Sequence, residues 1–344
     1  MTKISDFQNL FESAIVDIAA RTPDPEKRCI ILSGGVDTCA ILAAARTVNV
    51  TFAAAFTVIC GDDSPDKGFA TAAAKEHDIP HHIVELTPDD LVSIYLPKCI
   101  QLLHTFDGMT LRNSLVVAAV FHKASEMGFT DAIVGDAADE LMGGYSFMWA
   151  HKDPTEWKDK RDKMCREWTF ATSALAKAYN LTSHSPYMDP KVVEWALENV
   201  EREDCIGTRP IRLFYGGEFL EHETGKLLLR EAYETVSSWR RKDPIEVGSG
   251  VTVIGHNKYW KDRVADEEFE TEAAKLKERG FIIQSKEYLV NFRAFESCYG
   301  PDGKGLPTTT RLEIGQGCAG CCFDIGESMF CRICGAYPAQ RSAS

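Results

Sequence analysis

An α/β fold, with a parallel sheet covered by helices on both faces and a mainly helical second half, is predicted by three observations in the 344-residue chain. Short apolar, β-branched runs alternate with alanine-rich or amphipathic stretches from residue 28 to about 135, the pattern of repeated strand–helix units. Turns follow two of those runs, at 33–37 and 135–140, and from about Trp149 helical patterning dominates. With 44% hydrophobic and 26% charged residues, the composition suits a globular chain of one large or two modest domains.

The N-terminal stretch MTKISDFQNLFESAIVDIAA is acidic and amphipathic, so it reads as a helix and not as a basic region leading into an apolar signal core. A cytoplasmic location is expected. No apolar run approaches a membrane span, and a formal charge of −13 argues against nucleic acid as the main partner, because phosphate backbones need a basic face.

Next comes RCIILSGGVDTCAILAAA, residues 28–45, in which Cys29–Leu32 reads as a buried strand and Asp37–Ala45 as a helix. Gly34 and Gly35 can take backbone angles closed to other residues. Consecutive amides can therefore converge on a phosphate at the positive end of the helix, with Ser33 and Thr38 adding hydroxyl donors. A plain strand-to-helix turn is the alternative. The turn has no lysine, as a P-loop needs, and no third glycine, as a dinucleotide fingerprint needs.

VTFAAAFTVI reads as a strand, CGDDSPDKG as a turn, FATAAAKEHD as a helix and HHIVEL as a short strand. TPDDLVSIYLPKCIQLLHTF reads as a helix opened by Thr87, Pro88 and two aspartates, and LRNSLVVAAVFHKASEMG as one that ends at Gly128. TDAIVG is a further strand. Ligands of such sheets bind beyond the carboxyl ends of the strands, which puts GDAADELMGGY, residues 135–145, beside the Ser33–Asp37 turn. Asp37 and Asp139 are the expected ligands of Mg²⁺, a hard ion held by one or two carboxylates plus phosphate oxygens. A solvated acidic turn capping the next helix is the alternative.

Helices are expected in AHKDPTEWKDKRDKMCREWTFATSALAKAYNL, DPKVVEWALENV and GKLLLREAYETVSSW, and KDRVADEEFETEAAKLKERG reads as a solvated helical face. Lys226 and Arg230 stand four apart on one face, either reaching phosphate or forming a solvated stripe. Six of the twelve cysteines, among them Cys99, are scattered singly, where thiols act as small hydrophobes. The other six lie in the last 47 residues. There CAGCC and CRIC form two C-x-x-C hooks, so Cys318, Cys321, Cys331 and Cys334 are expected to hold a structural Zn²⁺. An iron–sulfur cluster also takes four cysteines, and Cys298 and Cys322 are spare.

SGGVDT after a strand resembles the pyrophosphate loop of the N-type ATP pyrophosphatases, and GDAADELMGGY resembles the acidic block in the synthetase domain of asparagine synthetases and β-lactam synthetases. SPYMDPKVVEWAL, GKLLLREAYE, RRKDPIEVGSG and SKEYLVNFRAFESCYG are similar to further segments of that domain in the same order. The resemblance spans about residues 25–300 and implies an adenine nucleotide alpha-hydrolase-like sheet. Four segments are expected: an N-terminal helix over 1–27, a PP-loop ATP-binding core over 28–150 and a helical synthetase subdomain over 151–299, the last two from the resemblance, and, outside it, a Cys-rich zinc-binding tail over 300–344.

The resemblance further implies that a substrate carboxylate attacks the α-phosphorus of ATP and that a nucleophile then displaces AMP. Ser33, Gly34, Gly35, Asp37 and Thr38 would hold pyrophosphate, Asp37 and Asp139 Mg²⁺, and the backbone of Phe56, Thr57 and Val58 the adenine. Lys242, otherwise a surface lysine in a basic run, would stabilise charge on phosphate and acyl oxygens, and Asp136 would orient or deprotonate the nucleophile. Three departures accompany these matches. Thr2 stands where a glutaminase cysteine is expected and only about 27 residues precede the loop, so glutamine hydrolysis in cis is not expected. The arginine of R-x-P-F-L-D is missing after His184, which becomes a candidate for the substrate pocket, and Asp136 replaces the usual glutamate. An amide-forming ligase using ammonia or an amine is the leading expectation. A sulfur-inserting enzyme using Cys99 or tail cysteines is the second, and an inactive homologue acting as a zinc-dependent interaction module the third. The expected partners are a small-molecule substrate, an ammonia- or sulfur-supplying protein and a second copy of the chain.

Overall fold

The computed structural model describes residues 2–61 and 64–341. The expected turn over 60–68 includes Asp62 and Asp63, which lie outside the described residues. Five strands form one sheet: Arg28–Ile31 (β1), Ala54–Cys60 (β2), His81–Leu86 (β3), Asp131–Ile133 (β4) and Thr182–His184 (β5). Their order is β3-β2-β1-β4-β5. β1 pairs in parallel with β2 and β4, and β4 with β5, with Ile30 opposite both Ala55 and Ile133. Cys29, Ile30, Ala55, Phe56 and Ala132 are fully buried, as central strands covered on both faces require.

The helices around the sheet follow their apolar spacing. Lys3–Arg21 (α1) opens with a Thr2–Ser5 capping box and buries Phe7, Phe11, Ala14, Ile15 and Ile18, one stripe of a 3.6-residue period. Val36–Thr47 (α2) is alanine-rich and buried along most of its length, which lets it lie close on the strands. Pro65–Glu76 (α3) starts at Ser64 with proline in its first turn.

The chain packs as two compact units drawn from interleaved segments. One comprises Met1–Ile59, Asp63–Glu85 and Val120–Ser249 and contains the sheet; the other comprises Cys60–Asp62, Leu86–Ala119 and Gly250–Ser344. In the second unit Phe106 packs on Phe292 and Phe295 with ring centroids 5.3 and 5.2 Å apart, and Arg112 pairs with Glu287 at 2.7 Å. The helix expected over 87–106 runs as consecutive helical segments from Pro88 to Leu103, opened by a Thr87–Asp90 capping box.

Three stretches differ from the sequence expectation, and of the helix expected over 225–239 only Leu227–Ala232 forms. β5 has only three residues, Thr-Ser-His, too few for a periodic signal. Gly207–Arg212 (β6) and Phe219–Thr224 (β7) form an antiparallel hairpin inside the stretch expected to be helical. Among the described residues, no helix is long and apolar enough to cross a membrane.

Candidate functional site

β1 and β4 are neighbours, and the sheet's order reverses between them, so the loops leaving their carboxyl ends face one crevice. The loop after β1 carries the predicted phosphate turn. Gly34 has φ +67°, and a Cβ there would stand 2.4 Å from the Ala70 nitrogen, so glycine is required for conformation and for space. Gly35 is the N-cap of α2, whose first turn receives no side-chain cap. Ser33 is exposed, and its Oγ accepts a 3.2 Å hydrogen bond from the Gly35 N–H. Thr38 Oγ1 is buried and has no hydrogen-bond partner among the described residues, which fits a hydroxyl awaiting a ligand oxygen.

The loop after β4 turns sharply at Ala137, φ +76°, into the short helix Ala138–Leu141 that carries Asp139. Asp37 and Asp139 converge, and a lysine that sequence reasoning left undecided joins them. Lys226 Nζ lies 2.6 and 2.7 Å from the two oxygens of Asp37 and 2.7 Å from Asp139 Oδ1. Lys242 Nζ donates to Asp139 Oδ2 at 2.8 Å. Burial alone would raise the Asp139 carboxyl, but Lys226 and Lys242 outweigh it and hold the group below the usual carboxylate range. Burial likewise opposes the Lys242 ammonium, and Asp139 and Asp37 hold it above its ordinary value. Lys242 keeps 22% of its side chain exposed, whereas Lys226 keeps 1%. Of the two, only Lys242 can reach a ligand without rearrangement.

Other side chains brace these loops. Ser237 Oγ donates to the Gly34 carbonyl at 2.7 Å, and Arg240 donates to the Ser33 carbonyl at 3.1 Å while pairing with buried Asp66. Tyr187 OH donates to the Asp37 carbonyl at 2.9 Å, and Ser185 Oγ to the Asp136 carbonyl at 2.7 Å. None of these four was singled out from sequence, although the SPYMDP and RRKDP matches hold three of them. Arg230 is not a phosphate ligand: it is 2% exposed and donates to the carbonyls of Gly225, Ser238 and Arg240. Burial lowers its guanidinium to about 10.

Asp136 lies in the same acidic loop. Burial raises its carboxyl to about 6, with a hydrogen bond from Thr172 acting against the shift and Glu140 and Asp139 acting with it. Glu140 is buried, raised by that burial, and accepts a 2.7 Å bond from Tyr145 OH. On β2, Phe56 is fully buried and its carbonyl accepts from the Leu32 N–H at 2.8 Å, while Thr57 Oγ1 donates to the Leu32 carbonyl at 2.5 Å and lies 2.8 Å from His81 Nε2. Phe56 and Thr57 are thus tied to the strand that feeds the phosphate turn, and Val58 follows on the same strand. His184 does not join the site: its Nε2 is 2.8 Å from Asp131 Oδ1 at the start of β4.

In the second unit the sulfurs of Cys318, Cys321, Cys331 and Cys334, all buried, lie within 4.8 Å of one another. The Cys318–Cys334 and Cys321–Cys331 sulfurs are 3.6 Å apart. The scattered cysteines are also buried: burial pushes the Cys39 and Cys99 thiols up to about 12.

A parallel sheet with a Ser-Gly-Gly turn at its switch point and an acidic block on the neighbouring strand end is the arrangement expected from the resemblance to the N-type ATP pyrophosphatases. Residues 17–183 match the family model described as asparagine synthase. A probable glutamine-hydrolysing asparagine synthetase of Dictyostelium discoideum is 25% identical over 60% of this chain and 38% of its own length. Asparagine synthetase B of Escherichia coli is 24% identical over 70% of this chain and 45% of its own. The chain therefore spans less than half the length of these curated relatives. Among solved structures, the NH3-dependent NAD synthetase of Campylobacter jejuni aligns with 58% of this chain and 93% of its own at 11% identity and a TM-score of 0.30. The U34-tRNA thiolase NcsA of Methanococcus maripaludis aligns with 77% of each chain at 11% identity and a TM-score of 0.31.

Proposed function

We propose that this protein is an ATP-dependent ligase that adenylates a substrate carboxylate or carbonyl oxygen, releases pyrophosphate, and passes the activated group to ammonia or an amine with loss of AMP. The observation that carries the reading is the convergence of Asp37, Asp139, Lys226 and Lys242 beside the Gly34–Gly35 turn. The turn's amides, with the Ser33 and Thr38 hydroxyls, bind the pyrophosphate oxygens. Asp37 and Asp139 are the residues that hold Mg²⁺, which neutralises phosphate charge when bound. Lys242, the exposed lysine of the pair, donates to oxygens that gain charge as the α-phosphorus is attacked. Asp136, ionised above about pH 6, accepts a proton from the incoming amine. Pyrophosphate release from Mg-ATP and L-aspartate, with and without ammonium and with asparagine assayed in the same tube, tests the reading. Joint formation of both products only with ammonium supports it. Absence of pyrophosphate with every carboxylate tried, and of nucleotide binding, overturns it.

For the cysteine cluster we propose a single structural Zn²⁺. A tetrahedral ion with Zn–S bonds of about 2.3 Å sets its sulfurs about 3.8 Å apart. The 3.6 Å sulfur pairs agree with that edge. A cluster of several irons, with each thiolate on a different iron, needs a wider cage. Burial of all four ligands favours a closed structural site, and the buried thiols of Cys39 and Cys99 favour nitrogen transfer over delivery of sulfur by either one. Metal analysis of the purified protein decides: one zinc per chain and no visible absorption are expected, and iron with acid-labile sulfide overturns the assignment.

A further inference from the structure

Lys226 is held with unusual care for a lysine. Its backbone lies in the left-handed region, φ +61°, which non-glycine residues avoid. Its N–H donates to the Met142 carbonyl at 3.0 Å, tying it to the end of the acidic block. Space is cleared for its side chain: a Cβ on Gly144 would stand 2.3 Å from Lys226 Cε and 1.9 Å from Asp139 Oδ1. A Cβ on Gly225 would stand 2.2 Å from the Gly143 carbonyl oxygen. The ammonium so placed touches three of the four oxygens of Asp37 and Asp139, and Lys242 touches the fourth. Two carboxylates and two ammoniums sum to zero charge with no further ion.

We propose that Lys226 is a resident counter-cation that bars free divalent ions from the Asp37–Asp139 pair, so that metal enters only together with the phosphates of a nucleotide. The proposal rests on the ATP reading above. A hard divalent cation takes carboxylate oxygens as direct ligands. Here it must push Nζ aside or sit against an ammonium in a buried setting, where repulsion between like charges is strongest. Displaced on its own, Lys226 loses both partners inside the protein. A triphosphate arriving with the metal changes the balance, because its oxygens accept from the displaced ammonium and from Lys242. Metal and nucleotide then bind with positive coupling, and each raises the affinity of the other by the same factor.

Mn²⁺ binding, followed by loss of the free-ion EPR signal, tests this on the zinc-loaded 344-residue chain. The wild type, K226M and K226R are compared, with D37N/D139N as the blank for other sites. The wild type is expected to match the blank with Mn²⁺ alone and to bind one ion per chain once the α,β-methylene analogue of ATP is added. K226M is expected to take up Mn²⁺ without nucleotide at least about tenfold more tightly than wild type, an equilibrium change of about 1.4 kcal/mol. K226R, which keeps the charge, is expected to stay at the blank level. Wild-type binding that is equally tight with and without the analogue overturns the proposal, and this arm decides even if K226M does not fold. A folded K226M that gains no metal also overturns it. If the analogue binds without changing metal affinity, the proposal alone falls; if it binds to no variant at any metal concentration, the ATP reading falls and takes the proposal with it.

Discussion

Four cysteines between 318 and 334 make one cluster in this molecule, whereas two aspartates and two lysines spread from 37 to 242 make the other. In the first, ligand spacing is written in the local chain as two C-x-x-C hooks, and turn glycines bring the sulfurs together. In the second, each member sits on a different element: the first turn of α2, the helix after β4, the N-cap of the helix Leu227–Ala232, and the loop that follows it. Local spacing therefore encodes a site that is read directly, while long-range assembly encodes one that is read only in part. The two should also fail differently when altered.

The sharpest way to break the long-range cluster is Gly144→Ala, which puts a Cβ 1.9 Å from Asp139 Oδ1. It is expected to abolish pyrophosphate release while zinc content per chain is unchanged. Arg240→Ala leaves Asp66 buried without its cation and releases the Ser33 carbonyl. Loss of one partner of a buried pair costs about 3–5 kcal/mol, which urea unfolding of this variant should register. Lys242→Ala, expected to fold normally, removes a donor aimed at developing charge. A loss in turnover on the order of 10²–10³ is expected, by analogy with removal of one oxyanion donor. Tyr187→Phe deletes the bond to the Asp37 carbonyl and should cost about 1 kcal/mol of stability with a smaller effect on rate.

The mildest test is titration. Burial raises the Asp136 carboxyl to about 6, so its basic form accumulates as pH rises through that value. The amine-transfer half of the reaction should rise with pH along that curve, while pyrophosphate exchange should not follow it. Because the folded carboxyl is raised, its contribution to stability runs the other way: it is fully present below the ordinary aspartate range and is lost as pH rises through about 6. A transfer rate that is flat from pH 5 to 8 would remove Asp136 from the base role.

Much of the sheet was legible because its strands are continuous apolar runs and its helices carry alanine and cap signals. Asp37 and Asp139 could be paired from sequence, since both follow strands of one parallel sheet. Lys226 could not be assigned: the same i, i+4 pattern gives Lys226 a site position and Arg230 a carbonyl-bracing one, both are buried, and only their partners across the fold separate them. Ser237 and Tyr187 act on backbone carbonyls across the fold and leave no spacing signature. The hairpin of β6 and β7 was missed because its runs sit among helix-forming segments, and the interleaved packing units have no marker in composition. Their limits differ from the segment boundaries expected at 27, 150 and 299.

The scattered cysteines have a use of their own. Cys29, Cys39, Cys99 and Cys165 are buried with thiols pushed up to about 12, so an alkylating reagent meets almost no thiolate while the surrounding structure is closed. Each is thereby a clock set at a different depth of the molecule. Cys39, in α2 and within 3.3 Å of Ser237 Oγ, times the opening of the phosphate turn, and Cys99 that of the helix around it. Mass spectrometry of pulse-labelled protein would read these openings residue by residue without a single engineered probe.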